Sequence, residues 1–209
     1  MKTLKRKTLD ELRAEMPVLS ETEQRRCKGG TFYCDLSGNN LGQVGSGDDL
    51  KFCSASDFQT YNAGNIEGQG ISFGSLNNAG QYNFILSHSS FSNAQIGKYP
   101  PGTVAAGQNA DGVLAINENS FVWNNYHDAL STLEHEQYHN AGKDYLTTGN
   151  ELTSREVSAY ERQISSGTFQ STSDAYKRAT ADSLYEYYQK QGKSITKDEV
   201  YRQVGLPGY

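Results

Sequence analysis

Hydrophobic and polar positions alternate with two periods along this chain, and the change of period divides it. Residues 125–140 lack Gly and Pro, and Gly142 follows as a stop, so they predict a helix. At about 100° per residue, Tyr126, Ala129, Leu130 and Leu133 fall on one apolar stripe, with Asp128, Thr132, His135 and His139 nearly opposite. Residues 151–163 read as a second helix. Residues 173–191 predict a third, with Ala175, Ala179, Ser183 and Tyr187 in register and Gly192 as its stop. Thr196-x-x-Glu199 opens a short last helix ending near Gly205. Upstream the period drops to two. Tyr82, Phe84 and Leu86 alternate with Asn83, Ile85 and Ser87 as in a strand, and residues 113–116 (Val-Leu-Ala-Ile) predict another. Residues 97–112 form a long connection. Residues 31–80, rich in Gly, Asn, Ser and Asp, predict short strands and loops with few core-forming side chains.

These elements predict an α+β protein: a small mixed sheet and the helix of residues 125–140 in one lobe, helices in the other. The expected division is residues 1–30, 31–80 and 81–209.

Chemistry concentrates in Leu133-Glu134-His135-Glu136-Gln137-Tyr138-His139, which holds two of the chain's four histidines. The spacing His-Glu-x-x-His puts two imidazoles one helical turn apart, where both can bind one Zn²⁺, and Glu136 then reaches a water on that ion. The plainer use of such a face is contact with solvent. A carboxylate from the next helix could complete a His₂Glu set and leave a fourth position to water. Glu151, Glu156 and Glu161 are the candidates. A charged helix surface is their ordinary use, as in a Glu151–Arg155 pair, and Thr153-x-x-Glu156 also fits a capping box. No His follows His139, so a three-histidine site with a downstream ligand is excluded.

HEQYH followed by Glu156-x-x-Ala159-Tyr160 resembles the zincin metallopeptidases of the gluzincin type, over residues 113–166. The resemblance implies a zincin-like domain, His135, His139 and Glu156 as zinc ligands, Glu136 as general base, and a peptide or protein substrate. It also implies that the strand before the motif helix, at residues 111–117, is a sheet edge to which substrate adds. Some gluzincins place an Asp four residues after the ligand Glu; here that position is Tyr160. Tyr185, Tyr187, Tyr188 and His127 are candidate donors to an oxyanion, although packing is the commoner role of such tyrosines. His88, in the expected strand, has no expected part.

Charge separates the first thirty residues. They hold eight of the 19 basic and five of the 24 acidic residues, a surplus of three positive charges, and the remainder carries a surplus of eight negative ones. Leu4, Leu9, Leu12 and Met16 recur at helical spacing, and the segment ends in Gly29-Gly30 without the apolar core of a signal peptide. It resembles the double-glycine leader of proteins exported by peptidase-containing ABC transporters. That implies cleavage after Gly30 and a secreted, extracellular or periplasmic, product. A helix with a glycine cap is the alternative. Removal of residues 1–30 takes away Cys27 and leaves Cys34 and Cys53, an even pair suited to one disulfide, or else two buried thiols.

Basic residues do not cluster in the body of the chain, which argues against nucleic acid as a partner. No apolar run approaches the ~20 residues of a membrane span. The glycine-rich residues 42–49 lack the Lys-Ser/Thr of a phosphate loop and read as a turn. Two other readings remain: an exported binding or signalling protein with a structural metal, and a bacteriocin-like toxin effector.

Overall fold

The computed structural model describes residues 31–45, 48–65, 69–98, 105–108, 113–142 and 149–208. The leader reading, with Gly29, Gly30 and Cys27, lies outside the described residues.

The fold is α+β. Two three-stranded sheets take the place of the single small sheet expected. In the first, β1 (Thr31–Cys34) lies between β2 (Asn40–Val44), antiparallel to it, and β3 (Asp49–Phe52), parallel to it. In the second, β6 (Leu114–Asn117) lies between β4 (Ala94–Gly97), parallel, and β5 (Ala106–Gln108), antiparallel. The strand before the motif helix is therefore central, with both its edges paired. The edge strand facing that helix is β5, which falls inside the stretch expected to be only a connection.

Two helices replace expected strand or loop. Helix α1 (Ala55–Gly64) starts at Ser54, whose hydroxyl accepts from the Asp57 amide. Helix α2 (Asn78–Ser87) covers the stretch whose alternation suggested a strand. The Asn77 side chain caps it, accepting from the Gly80 amide at 2.8 Å. Its buried residues are Gly80, Gln81, Phe84 and Ile85, a helical spacing. Phe84 and Ile85 are adjacent and both fully buried, which a strand packed on one face does not allow. The turn before β2 rests directly on this helix. A Cβ on Gly80 would meet the Leu36 carbonyl oxygen at 2.5 Å, so only glycine fits there.

The main core runs across residue 80. Leu50, Phe52, Phe73 and Leu76, from the stretch expected to be poor in core residues, join Phe84, Ile116, Trp123, Leu133, Leu184 and Val200 in one cluster. Phe73 stacks on Trp123 at 4.9 Å between ring centroids. A satellite cluster of Tyr33, Val44 and Cys53 packs under Phe58 and Tyr61 of α1.

Helix α3 (Tyr126–Gly142) carries the motif. Its start is tied to the first sheet: the Tyr126 amide donates to the Asp48 carbonyl, and the Tyr126 ring stacks on Phe32 of β1 at 4.2 Å. Helix α4 (Gly149–Ile164), short α5 (Gly167–Gln170), α6 (Asp174–Lys190) and α7 (Lys197–Gln203) form the helical part. Thr196 and Glu199 close the expected capping box on α7. On α6 the buried residues are Tyr176, Thr180, Ala181, Leu184 and Tyr188, a stripe one residue on from the expected register, and Ala175 and Ala179 are exposed. The larger side chains win the core-facing positions, because each buries more apolar area than alanine. No helix among the described residues is long and apolar enough to cross a membrane.

Cys34 and Cys53 are both free thiols here, so the expected disulfide is absent from this structure. They sit at the ends of neighbouring strands, and the Cys53 amide donates to the Cys34 carbonyl at 3.0 Å.

Candidate metal centre

Helix α3 is buried on two sides. Ala129 and Leu133 enter the core, as the apolar stripe predicts. The opposite, polar side is buried too, against α4 and α6, and is tied to them by side-chain hydrogen bonds. Asp128 accepts from the Ser173 amide (2.8 Å) and hydroxyl (2.6 Å) at the start of α6. Thr132 shares a hydrogen bond with the Tyr176 hydroxyl at 2.9 Å, and Gln163 of α4 donates to the Ser131 carbonyl and to Tyr176. This network fixes α3 against the two helices that complete the site.

Within the motif the residues divide their work. Glu134 accepts from Ser166 and Thr168 at the start of α5, and Gln137 accepts from the Ser90 amide. The Arg162 guanidinium lies over the Tyr138 ring, 5.6 Å from its centroid. These contacts fix the rotation of α3, with His135, Glu136 and His139 each under 9 % exposed.

Glu156 meets them there from α4. His135 Nε2 is 3.5 Å from Glu156 Oε2, His139 Nε2 is 3.4 Å from Glu156 Oε1, and the two Nε2 atoms are 3.1 Å apart. These three residues are the group that could hold a metal ion among the described residues. A tetrahedral ion with ligand bonds of ~2.05 Å has edges of ~3.3 Å, so the observed separations suit one. Two imidazoles and a carboxylate are donors that suit a divalent first-row metal.

The rival carboxylates are engaged elsewhere. Glu151, largely exposed, pairs with Arg155 at 3.1 Å. Glu161 accepts from the Tyr188 hydroxyl at 2.8 Å and lies 3.7 Å from Lys193 Nζ. The Thr153–Glu156 capping box does not form, because α4 starts at Gly149 and Thr153 donates to the Gly149 carbonyl inside the helix.

Electrostatics distinguishes the two glutamates of the site. Burial pushes the Glu156 carboxyl up, but hydrogen bonds and charge from His135 and His139 outweigh it and hold the group at about 2. Glu136 is raised by burial, only partly offset by the two histidines, with the Glu156 charge adding to the rise. Glu156 thus favours the ionised form beside the two histidines, and Glu136 holds a proton more tightly than an ordinary carboxylate.

Tyr160, at the position where some gluzincins have Asp, lays its ring on His135, with centroids 4.4 Å apart. Tyr187 is the member of the tyrosine cluster that meets Tyr160: burial raises its phenol, and the charges of Glu156, Glu186 and Glu136 contribute. Tyr188 serves Glu161, and Tyr185 packs against the core. The other two histidines lie on the far side of α3's start. His127 Nε2 is 3.3 Å from Asp48 Oδ1, and His88 bonds Ser87 and the Phe84 carbonyl at the end of α2. Sequence reasoning missed Ser183 as a partner of Tyr160, and Glu134 as an anchor; neither carries a local signal. No protein-family model, curated protein or solved structure matches this chain.

Proposed function

We propose that this protein is a zinc-dependent peptidase with a zincin-like site. The observation that carries the reading is the closed triangle of His135, His139 and Glu156, with separations of 3.1–3.5 Å, and the buried carboxylate of Glu136 next to His135 on the same helix. His135, His139 and Glu156 would hold the ion, which when bound lowers the pKa of a water and polarises a carbonyl.

Glu136 takes the proton of the attacking water and passes it to the leaving amine. Its raised affinity for a proton suits both halves of that transfer. Tyr187, whose phenol feels the charges of Glu156 and Glu136, would donate to the oxygen that becomes negative as the carbonyl is attacked. Strand β5 is an edge of its sheet among the described residues, and an extended peptide would add to it. Export through a double-glycine leader accords with this activity, since an extracellular peptidase has to leave the cell.

A purely structural metal is the competing reading, and it calls for a fourth protein ligand. Glu151 and Glu161, the residues expected to supply one, are held by Arg155 and by Tyr188 and Lys193. That favours an open position. The test is incubation of the zinc-loaded full chain with a mixed peptide library, reading new termini by mass spectrometry. Cleavage by the wild type and none by Glu136→Gln supports the proposal; no cleavage by either, with zinc bound, removes it.

A further inference from the structure

A buried ring nitrogen without a partner costs desolvation energy, so such atoms are few and informative. His135 directs Nε2 toward Glu156 and His139, while its Nδ1 is buried and makes no hydrogen bond. In histidine–metal sites that second nitrogen ordinarily donates to a carboxylate or carbonyl, which fixes the ring's orientation. Here the ring is held by contact instead. Tyr160 stands four residues after Glu156 on α4, so the two share a helix face. Its ring lies against the His135 ring at 50°. On its other flank Tyr160 meets Tyr187 of α6 at 5.9 Å, and Ser183, one turn before Tyr187, lies beside its hydroxyl. One face of α4 thus supplies a ligand and the plate on which another ligand's ring rests, and α6 fixes the plate.

We infer that Tyr160, anchored by Ser183, is a positioning residue that sets the affinity of the metal centre by orienting the His135 imidazole. The inference rests on the metal-site reading above. It makes metal affinity depend on the docking of α6 against α4, rather than on a second carboxylate next to the ligands.

The test is the zinc affinity of the full chain, by competition with a chromophoric chelator, with the thermal midpoint of the metal-free protein recorded alongside. Tyr160→Leu keeps apolar bulk and removes the plate; it weakens zinc binding ~10- to 100-fold, the usual effect of losing a residue that supports a ligand. Tyr160→Phe and Ser183→Ala each weaken it about threefold, and the double variant no further than either, because both remove the same contact. A role confined to packing lowers the midpoint and leaves the affinity unchanged. Wild-type affinity in Tyr160→Leu overturns the inference; if that variant does not fold, unchanged affinity in Ser183→Ala does so. A wild type that binds no zinc overturns the metal centre as well, whereas zinc binding insensitive to these variants removes the inference alone.

Discussion

His135 Nε2 and His139 Nε2 face each other across 3.1 Å in the interior of the protein, and each also faces an oxygen of Glu156. The two imidazoles can share one hydrogen bond across that gap, while both nitrogens also face the Glu156 carboxylate. A divalent cation accepts both lone pairs and the carboxylate at once. Zinc is therefore expected to stabilise the fold by binding the native state alone. At 100 times its Kd the gain is about 2.7 kcal/mol, or roughly 5–10 °C in the thermal midpoint of a chain this size. Scanning calorimetry with zinc and then with a chelator measures it, and a midpoint indifferent to both speaks against the site.

Glu136 is buried next to His135 but outside the ligand triangle. Its replacement by Gln keeps size and hydrogen-bonding capacity and removes the base. Turnover is expected to fall by at least ~10²-fold, with zinc content unchanged. Equal loss of metal would show that Glu136 is instead a ligand.

Asp128 predicts a pH dependence of stability. Burial raises its carboxyl above the ordinary 3.8; the Ser173 hydrogen bonds oppose this, Asp48 adds to the rise and His127 reduces it. A raised folded-state pKa means the native protein holds its proton more tightly than the unfolded chain. Stability from this group is present below 3.8 and declines as pH rises through the folded value. Asp128→Asn keeps an acceptor for the Ser173 amide, so its stability at pH 7 should stay within ~1 kcal/mol of wild type and lose that slope. Asp128→Ala should cost roughly 1–3 kcal/mol by freeing the start of α6. Urea unfolding from pH 4 to 7 separates the three proteins.

Burial pushes the Cys34 thiol up to about 12, with Asp35 and Cys53 adding to it, and burial raises Cys53 as well. The reactive thiolate is scarce in both. Peptides carrying Cys34 and Cys53 should be alkylated at pH 8 at least ~100-fold more slowly in the native protein than in urea. Rapid labelling of the native protein, or recovery of a Cys34–Cys53 disulfide, would contradict the free, buried pair.

What could be read in the sequence follows how local its cause is. His135 and His139 share a face because helical geometry alone sets a four-residue spacing, and Glu136 follows His135 directly. No local rule chooses Glu156 over Glu151 and Glu161; a family resemblance named it. In the structure the choice is made by partners distant in sequence, with Tyr188 and Lys193 taking Glu161. The central place of β6 was hidden for the same reason, since strand order is set by which segments return to pair. At residues 78–87 a local signal was present and outweighed: Tyr82, Phe84 and Leu86 alternate, but the Asn77 cap and the adjacent Phe84 and Ile85 favour a helix. The contact of Tyr160 with His135 and Ser183 joins three helices, and no single segment encodes it.

The most direct test of the metal centre is the zinc content of the purified full chain, wild type beside Glu156→Ala, by elemental analysis after dialysis against trace zinc. The geometry predicts about one zinc per wild-type chain, lost or strongly weakened in the variant, with both proteins folded by circular dichroism. Zinc retained in Glu156→Ala would show that Glu156 is not the third ligand, and a folded wild type that takes up none would contradict the account.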